Sequence, residues 1–216
     1  MKNKTFVVGA IGAVVLAFFG LKFFNQPTPP TEATLSAAPS EYFVRPHSPS
    51  LGNSLARVTV VEWFDPECES CRAIHPVVKQ IVSDYGNTVH FVLRYMPYHP
   101  GSMFAASAIE EARELGKFEE ALDLLFEKQP EWGDHHQPRP ELIPTYLTAL
   151  GIPKDRLGME YLLKKHGDKI RIDEADGKMV GVQATPTFFV NGQIVDELGD
   201  KPLRTAIDAA LKNSKN

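Results

Sequence analysis

The residues best suited to chemistry in this sequence are its two cysteines, Cys68 and Cys71, which lie three positions apart. A disulfide between residues this close closes a very short loop, and the loop-entropy argument gives such a bridge little stabilising effect. A domain of this length is also stable without crosslinks. The pair therefore indicates thiol redox chemistry rather than a structural crosslink.

A zinc site is the alternative for two cysteines at this spacing. A closed zinc site needs four ligands, and the chain has only these two cysteines, so histidines would have to complete it. The tandem His135-His136 is the tempting source, but adjacent residues in a loop seldom converge on one ion without further ligands. We expect a solvated loop there and no bound metal.

The cysteines are predicted to lie where a strand runs into a helix. Residues 57–64 (RVTVVEWF) are β-branched and aromatic, as in a buried strand, and apolar residues then recur at helical spacing from Cys68 to Tyr85. Unpaired N–H groups and the helix dipole stabilise a thiolate at a helix N-terminus. Cys68 is therefore the expected nucleophile, and Cys71, one turn on and less exposed, is the resolving thiol.

The remaining elements predict an α/β fold. The pattern gives a second strand, a helical stretch with a break, two shorter helices, a hairpin around Asn-Gly and a closing helix, at residues 89–95, 102–128, 141–150, 157–166, 187–195 and 201–211. The first two strands are joined by a crossover helix and should be parallel. We expect a mixed four-stranded sheet flanked by helices, with an all-helical insertion at about 102–166. The acidic run at 110–120 is interpreted as a solvated helix face.

The N-terminus indicates the compartment. Residues 5–24 form an apolar run interrupted only by Lys22, long enough to span a bilayer, and Lys2 and Lys4 precede it. The positive-inside rule then places the N-terminus in the cytoplasm and the rest on the extracytoplasmic side of a bacterial inner membrane, facing the periplasm. We favour an anchor at 1–24 over a cleaved signal peptide, whose apolar region is usually shorter.

A tether is predicted between the membrane segment and the domain. Residues 25–54 are rich in Pro, Ser and Thr and show no apolar period, so the folded domain is expected to span 55–212. The net charge of −4 shows no excess of basic residues that would indicate nucleic-acid binding.

Four stretches in order resemble the DsbA-like branch of thioredoxin-fold proteins. Residues 60–76, around the cysteines, resemble its active-site region, and residues 91–97 resemble its second strand. Residues 106–126 resemble the start of its helical insertion, and residues 183–192 (QATPTFFVNG) resemble its cis-proline loop and hairpin. The resemblance covers about residues 55–212 and implies a thioredoxin fold.

That resemblance implies three further site residues. Pro186 should be a cis proline facing the cysteines, and its bend should expose the backbone of Thr185 to a substrate strand. The alternative is an ordinary trans proline opening a strand. Glu62 is implied to be a partly buried acid that shuttles the proton of Cys71, rather than a strand-edge carboxylate in solvent.

The implied activity is thiol–disulfide exchange with exported cysteine-containing proteins. The redox-active Cys68–Cys71 disulfide would be its only redox group, and a membrane partner would recycle it. A membrane-tethered reductase and a non-catalytic peptide-binding adaptor remain alternatives. An isomerase ranks lower, because nothing resembles a dimerisation module and we expect a monomer.

The charges around the cysteines lead to an expectation about redox direction. Glu67 and Glu69 flank Cys68, and nearby negative charge should raise the pKa of that thiol. The hypothesis is a protein less oxidising than the family's best-known oxidases.

His75 is two turns from Cys68 and is expected at the surface, and Pro76 is expected to kink the helix.

Overall fold

A computed structural model describes residues 40–134 and 136–214 of the chain. The predicted membrane segment at 1–24 and the first part of the predicted tether lie outside these residues. Within them, every helix is too short or too polar to be a candidate for crossing a bilayer.

Five strands form one mixed sheet: β1 Ser50–Gly52, β2 Val58–Phe64, β3 Val89–Tyr95, β4 Thr187–Val190 and β5 Gln193–Ile194. Their order across the sheet is β1-β3-β2-β4-β5. As predicted, β2 and β3 are parallel and the hairpin strands are antiparallel. The predicted number of four is wrong, because β1 adds an antiparallel edge strand beside β3.

Seven α-helices surround this sheet within the described residues: α1 Ser40–Phe43, α2 Glu69–Tyr85, α3 Ser102–Glu114, α4 Phe118–Trp132, α5 Ile143–Ala149, α6 Met159–Met179 and α7 Asp200–Asn213. Short 3-10 helices cover Gly86–Thr88, Pro140–Leu142 and Lys154–Arg156. The predicted break between α3 and α4 is confirmed, with Gly116 at a φ of 71°. Helix α6 continues well past the predicted end at residue 166.

Strand β2 divides the core in two, because successive side chains of a strand point to opposite faces. Val60 and Phe64 lie in the larger apolar cluster, which also contains both cysteines. Val61 and Trp63 lie in the smaller cluster on the other face. By the same alternation, Glu62 points to the face that carries the cysteines.

The predicted tether is wrong from residue 40 onward. Phe43 is buried and packs edge-to-face on Trp63 and Phe189, with ring centroids 5.9 and 5.1 Å away. Arg94 donates a hydrogen bond to the Tyr42 carbonyl (2.7 Å), and β1 pairs with β3. The domain therefore includes residues from Ser40 onward and does not begin only at residue 55.

The acidic run on α3 is also not a solvated face throughout. Glu110 and Glu111 are buried, because α3 packs against the sheet and α6. The Tyr95 hydroxyl donates to Glu110 (3.0 Å). Cationic side chains from α6 and the preceding turn, Lys165 and Arg156, pair with Glu111.

Candidate active site

The cysteines lie at the start of α2, as predicted. Cys68 is the N-cap residue, and its N–H donates to the Asp65 carbonyl (3.1 Å) in the turn that leaves β2. Cys68 is 8% exposed and Cys71 only 1%, so Cys68 is the sulfur nearer the surface. Neither sulfur is in a disulfide in this structure.

The two thiols differ sharply in acidity. The pKa of Cys68 is lowered to about 5, first by a hydrogen bond from Cys71 and further by Thr185 and the backbone N–H groups of Cys71 and Ser70. Burial raises the pKa of Cys71 well above its ordinary value, and its hydrogen bond to Cys68 and the nearby charges of Cys68 and Glu62 add to the effect. At neutral pH, Cys68 is therefore a thiolate while Cys71 keeps its proton.

The expectation that flanking carboxylates raise the pKa of Cys68 is wrong. Glu67 turns inward, where its carboxylate accepts hydrogen bonds from the Gly101 N–H (2.6 Å) and the Ser102 hydroxyl (3.3 Å). Burial raises the pKa of Glu67, and the Gly101 N–H hydrogen bond and the charge of His99 oppose that shift. Glu69 is exposed to solvent, which screens it. Direct hydrogen bonds to the Cys68 sulfur outweigh the effects of both carboxylates on the pKa of Cys68.

Thr185 and Pro186 lie beside Cys68. The Thr185–Pro186 peptide bond is cis, and the Thr185 carbonyl oxygen lies 3.3 Å from the Cys68 sulfur. This loop leads directly into β4, which pairs with β2. The backbone of Thr185 is thus placed where an extended peptide bound at Cys68 would meet it.

Glu62 lies inside the domain, 4% exposed, and is not a solvent-facing carboxylate. Burial raises its pKa to about 8, so the acid is mostly protonated at neutral pH. Its charge is also among the causes that raise the pKa of Cys71, which places the two groups within electrostatic range. Glu62 is thus an acid on the cysteine-bearing face of β2 that can gain or lose a proton near neutral pH.

Sequence reasoning missed the role of Asp65. Its N–H lies 3.4 Å from the Cys71 sulfur, and its fully buried carboxylate accepts the Tyr98 N–H (2.7 Å), lies 2.7 Å from His99 Nδ1 and takes a hydrogen bond from the Ser102 hydroxyl. In the sequence, Asp65 followed by Pro66 indicates a turn only, and the partners of the Asp65 carboxylate lie more than thirty residues further along the chain.

Gln129 was missed as well. From α4, its side-chain amide donates to the carbonyls of Pro66 (2.9 Å) and Cys68 (3.0 Å). It is buried, so these bonds are shielded from water. The helical insertion therefore holds the backbone of the active-site turn.

The histidine expectations have mixed outcomes. His75 is half-buried rather than at the surface, because its Nε2 lies 2.6 Å from Asp123 and its ring packs on Phe126. Burial lowers the pKa of His75. His136 is exposed in a loop, as expected for a solvated segment, and His135 is outside the described residues.

Comparison with known proteins agrees with this geometry. A family model described as thioredoxin matches residues 45–209. The crystal structure of oxidised BdbD from Bacillus subtilis is 30% identical, with 77% of this chain and 94% of that chain covered and a TM-score of 0.67. A thioredoxin-like oxidoreductase from Silicibacter pomeroyi DSS-3 is 29% identical, with 82% and 99% covered and a TM-score of 0.68.

Curated relatives include the Na(+)/H(+) antiporter NhaA 3 of Salinispora tropica, 38% identical over 142 residues, which are 64% of this chain. The chain spans 21% of the length of that relative and 30% of the length of NhaA 1 from Mycobacterium sp. (strain KMS). The predicted α/β fold with a helical insertion is confirmed, with the correction to five strands.

Proposed function

Because the chain belongs to the thioredoxin family and is a DsbA-like thiol–disulfide oxidoreductase, we propose that it donates its Cys68–Cys71 disulfide to exported cysteine-containing proteins. The observation that carries this proposal is the contrast between the two sulfurs. Cys68 is stable as a thiolate and is the sulfur nearer the surface, whereas Cys71 is more deeply buried and protonated.

The exchange has two steps. A substrate thiolate attacks the Cys68 sulfur of the disulfide, which forms a mixed disulfide and releases Cys71 as a thiolate that takes up a proton. A second substrate thiolate then attacks the substrate sulfur of the mixed disulfide and releases Cys68 as a thiolate. The substrate loses two electrons and gains a disulfide, and the Cys68–Cys71 pair is reduced to the dithiol.

Glu62 supplies the proton in the first step. Its pKa of about 8 keeps it protonated at neutral pH, and it lies within electrostatic range of Cys71. The leaving sulfur has a pKa well above its ordinary value, so transfer from Glu62 is downhill. In the reverse direction, the Glu62 carboxylate accepts that proton.

The substrate pairs with the backbone at Thr185 while its cysteine meets Cys68. An extended segment can add to exposed main-chain groups without a sequence requirement, which suits a protein that meets many partners. The Thr185 carbonyl oxygen, which precedes the cis bond to Pro186, lies 3.3 Å from the Cys68 sulfur.

The direction of exchange follows from thiolate stability. A group that stabilises the Cys68 thiolate stabilises the reduced pair, so the disulfide is the stronger oxidant. A reductase would need a less stable Cys68 thiolate, because its disulfide would then be the weaker oxidant. Each turnover leaves the pair reduced, so an oxidant is required to regenerate the disulfide, and we propose a membrane redox partner for this role. We place the domain on the extracytoplasmic side, with residues 1–24 as its anchor.

Replacing Cys71 with Ser tests this function. Without the resolving thiol, mixed disulfides should accumulate on Cys68 in cells that export cysteine-containing proteins, and mass spectrometry of the trapped species identifies the partners. The control replaces both cysteines with Ser and should trap nothing. If the Cys71→Ser protein also traps nothing, and Cys68→Ala cells keep full function, the chain is an adaptor instead.

A further inference from the structure

The loop between β3 and α3, residues 96–101, lies against the turn that precedes Cys68. The N–H groups of Tyr98 and His99 donate to the Asp65 carboxylate (2.7 and 3.2 Å), and the Gly101 N–H donates to Glu67 (2.6 Å). A Cβ at Gly101 would lie 3.0 Å from that Glu67 oxygen, so the two segments are in close contact. This loop is therefore fixed relative to the cysteines.

His99 is the ionisable side chain that this loop brings to the active-site turn. Its Nδ1 lies 2.7 Å from the Asp65 carboxylate, which is fully buried, while the His99 side chain is 24% exposed. The Asp65 main chain in turn contacts both cysteines, through its carbonyl to the Cys68 N–H and its N–H to the Cys71 sulfur. One residue thus orients the imidazole and both ends of the redox pair.

Starting from the proposed exchange at Cys68, we propose that His99 is a positioning residue whose imidazolium, oriented by Asp65, stabilises the Cys68 thiolate. The dipeptide between the cysteines, Glu69-Ser70, contains no cation, and His99 reaches the active-site turn from a different loop. A cation near a thiolate lowers the free energy of the dithiol form and so makes the disulfide more oxidising.

The charges that face His99 support this role. Burial lowers its pKa, but the hydrogen bond and charge of Asp65 and the charges of Cys68 and Glu67 raise it, and the net direction is upward. Coupling between two sites is reciprocal. If the Cys68 thiolate favours protonation of His99, protonated His99 favours the Cys68 thiolate to the same extent.

The first test removes the charge and keeps the hydrogen bond. In His99→Asn, the amide can still donate to Asp65, but the positive charge is gone. The pKa of Cys68, followed by the ultraviolet absorbance of its thiolate, should rise by about one unit. The equilibrium constant with glutathione should then move about tenfold toward the disulfide. His99→Lys should restore much of the lost effect.

The matched control is His75→Asn. His75 is also a half-buried histidine paired with an aspartate, 2.6 Å from Asp123, and it lies on the same helix as the cysteines. Unlike for His99, the main causes of its pKa shift are burial and the neighbours Asp123, Lys79 and Glu119. Its replacement should leave the pKa of Cys68 unchanged. An unchanged pKa in His99→Asn, or an equal rise in both variants, would overturn the proposal.

A second measurement needs no variant of His99. The pKa of the His99 imidazole, measured by NMR, should be about one unit higher in the dithiol protein than in the disulfide protein. Replacing Cys68 with Ala should bring it to the disulfide value. Equal values in the two redox forms would refute the coupling, even if His99→Asn does not fold. Trapped mixed disulfides without this coupling would leave the proposed function standing and remove only the role of His99.

Discussion

Two regions of this domain bury charge in opposite ways. Between β3 and α6, Arg94 is fully buried and contacts Asp173 (2.8 Å) and Asp176 (2.6 Å), and Arg45 adds a second cation to Asp176. Beneath the cysteines, Glu62 is buried with no ion-pair partner among the described residues, and its pKa moves to about 8. Compensated charges are fixed and structural, whereas an uncompensated acid remains able to exchange protons near neutral pH.

The carboxylates around the active-site turn show an intermediate arrangement. Asp65 and Glu67 are buried but are held by backbone N–H groups, a hydroxyl and one titratable cation, His99. Such partners orient a carboxylate. They do not keep it ionised in the way that a neighbouring arginine does. The difference between the regions predicts that mutations in the first change stability alone, and mutations in the second change the chemistry.

The largest expected effect is on stability, at Arg94. Arg94→Met leaves two buried aspartates without their shared cation and should lower the free energy of unfolding by roughly 3–5 kcal/mol. Urea denaturation measures this loss. Arg171→Met, which removes an exposed pair with Asp168, is the matched control and should change stability little.

The same variant tests whether the first region is only structural. The glutathione equilibrium of folded Arg94→Met should equal that of the unchanged protein. A stability loss below about 1 kcal/mol would mean that the buried cluster contributes little. A shifted redox equilibrium would mean that the two regions are coupled.

Glu62→Gln should separate stability from chemistry. The folded pKa of Glu62 is about 8, above its ordinary value of 4.5, so the folded protein holds a proton that the unfolded chain loses. Stability therefore falls as pH rises between these values, by up to about 1.4 kcal/mol per unit of pKa shift. The Gln variant should not show this fall and should be the more stable protein at pH 8.

The same substitution should slow thiol exchange, by about 10²-fold at neutral pH, because it removes the proton donor of Cys71. Stopped-flow measurement of the reaction with a reduced peptide gives the rate. Glu160→Gln, exposed at the start of α6, should alter neither property. Unchanged exchange in Glu62→Gln would remove Glu62 from the mechanism.

The smallest expected effect is at Glu69. This carboxylate lies between the cysteines in the sequence but is exposed to solvent, so screening limits its influence. Glu69→Gln should lower the pKa of Cys68 by only a few tenths of a unit. Thiolate absorbance across pH 3–8 measures it. A shift of about one unit or more would mean that this exposed charge matters as much as the buried network.

Local patterns predicted the parts of this molecule that local physics determines. The cysteines at a helix start and the Asn-Gly hairpin depend on neighbouring residues, and both are confirmed. Strand β1 is three residues long and has no alternation of apolar and polar residues, so the sequence pattern does not separate it from the predicted tether. The burial of Glu111 depends on cations from α6, far along the chain.

The properties of the site likewise divide into those that were predicted correctly and those that were not. Thr185, Pro186 and Glu62 were expected from a family resemblance, and the structure places all three near the cysteines. The predicted direction of the pKa shift at Cys68 is wrong because hydrogen bonds to the Cys68 sulfur outweigh the nearby carboxylates, of which Glu67 is buried. Its hydrogen bonds to Gly101 and Ser102 join segments about 34 residues apart, which no local pattern reveals.

The redox equilibrium with glutathione tests the central claim most directly. The protein is incubated in buffers of defined glutathione ratio, and the fraction of Cys68–Cys71 disulfide is measured after acid trapping. A donor whose Cys68 thiolate is stabilised should have a standard potential above about −200 mV. A potential near that of thioredoxin, about −270 mV, would contradict the donor function and favour a reductase.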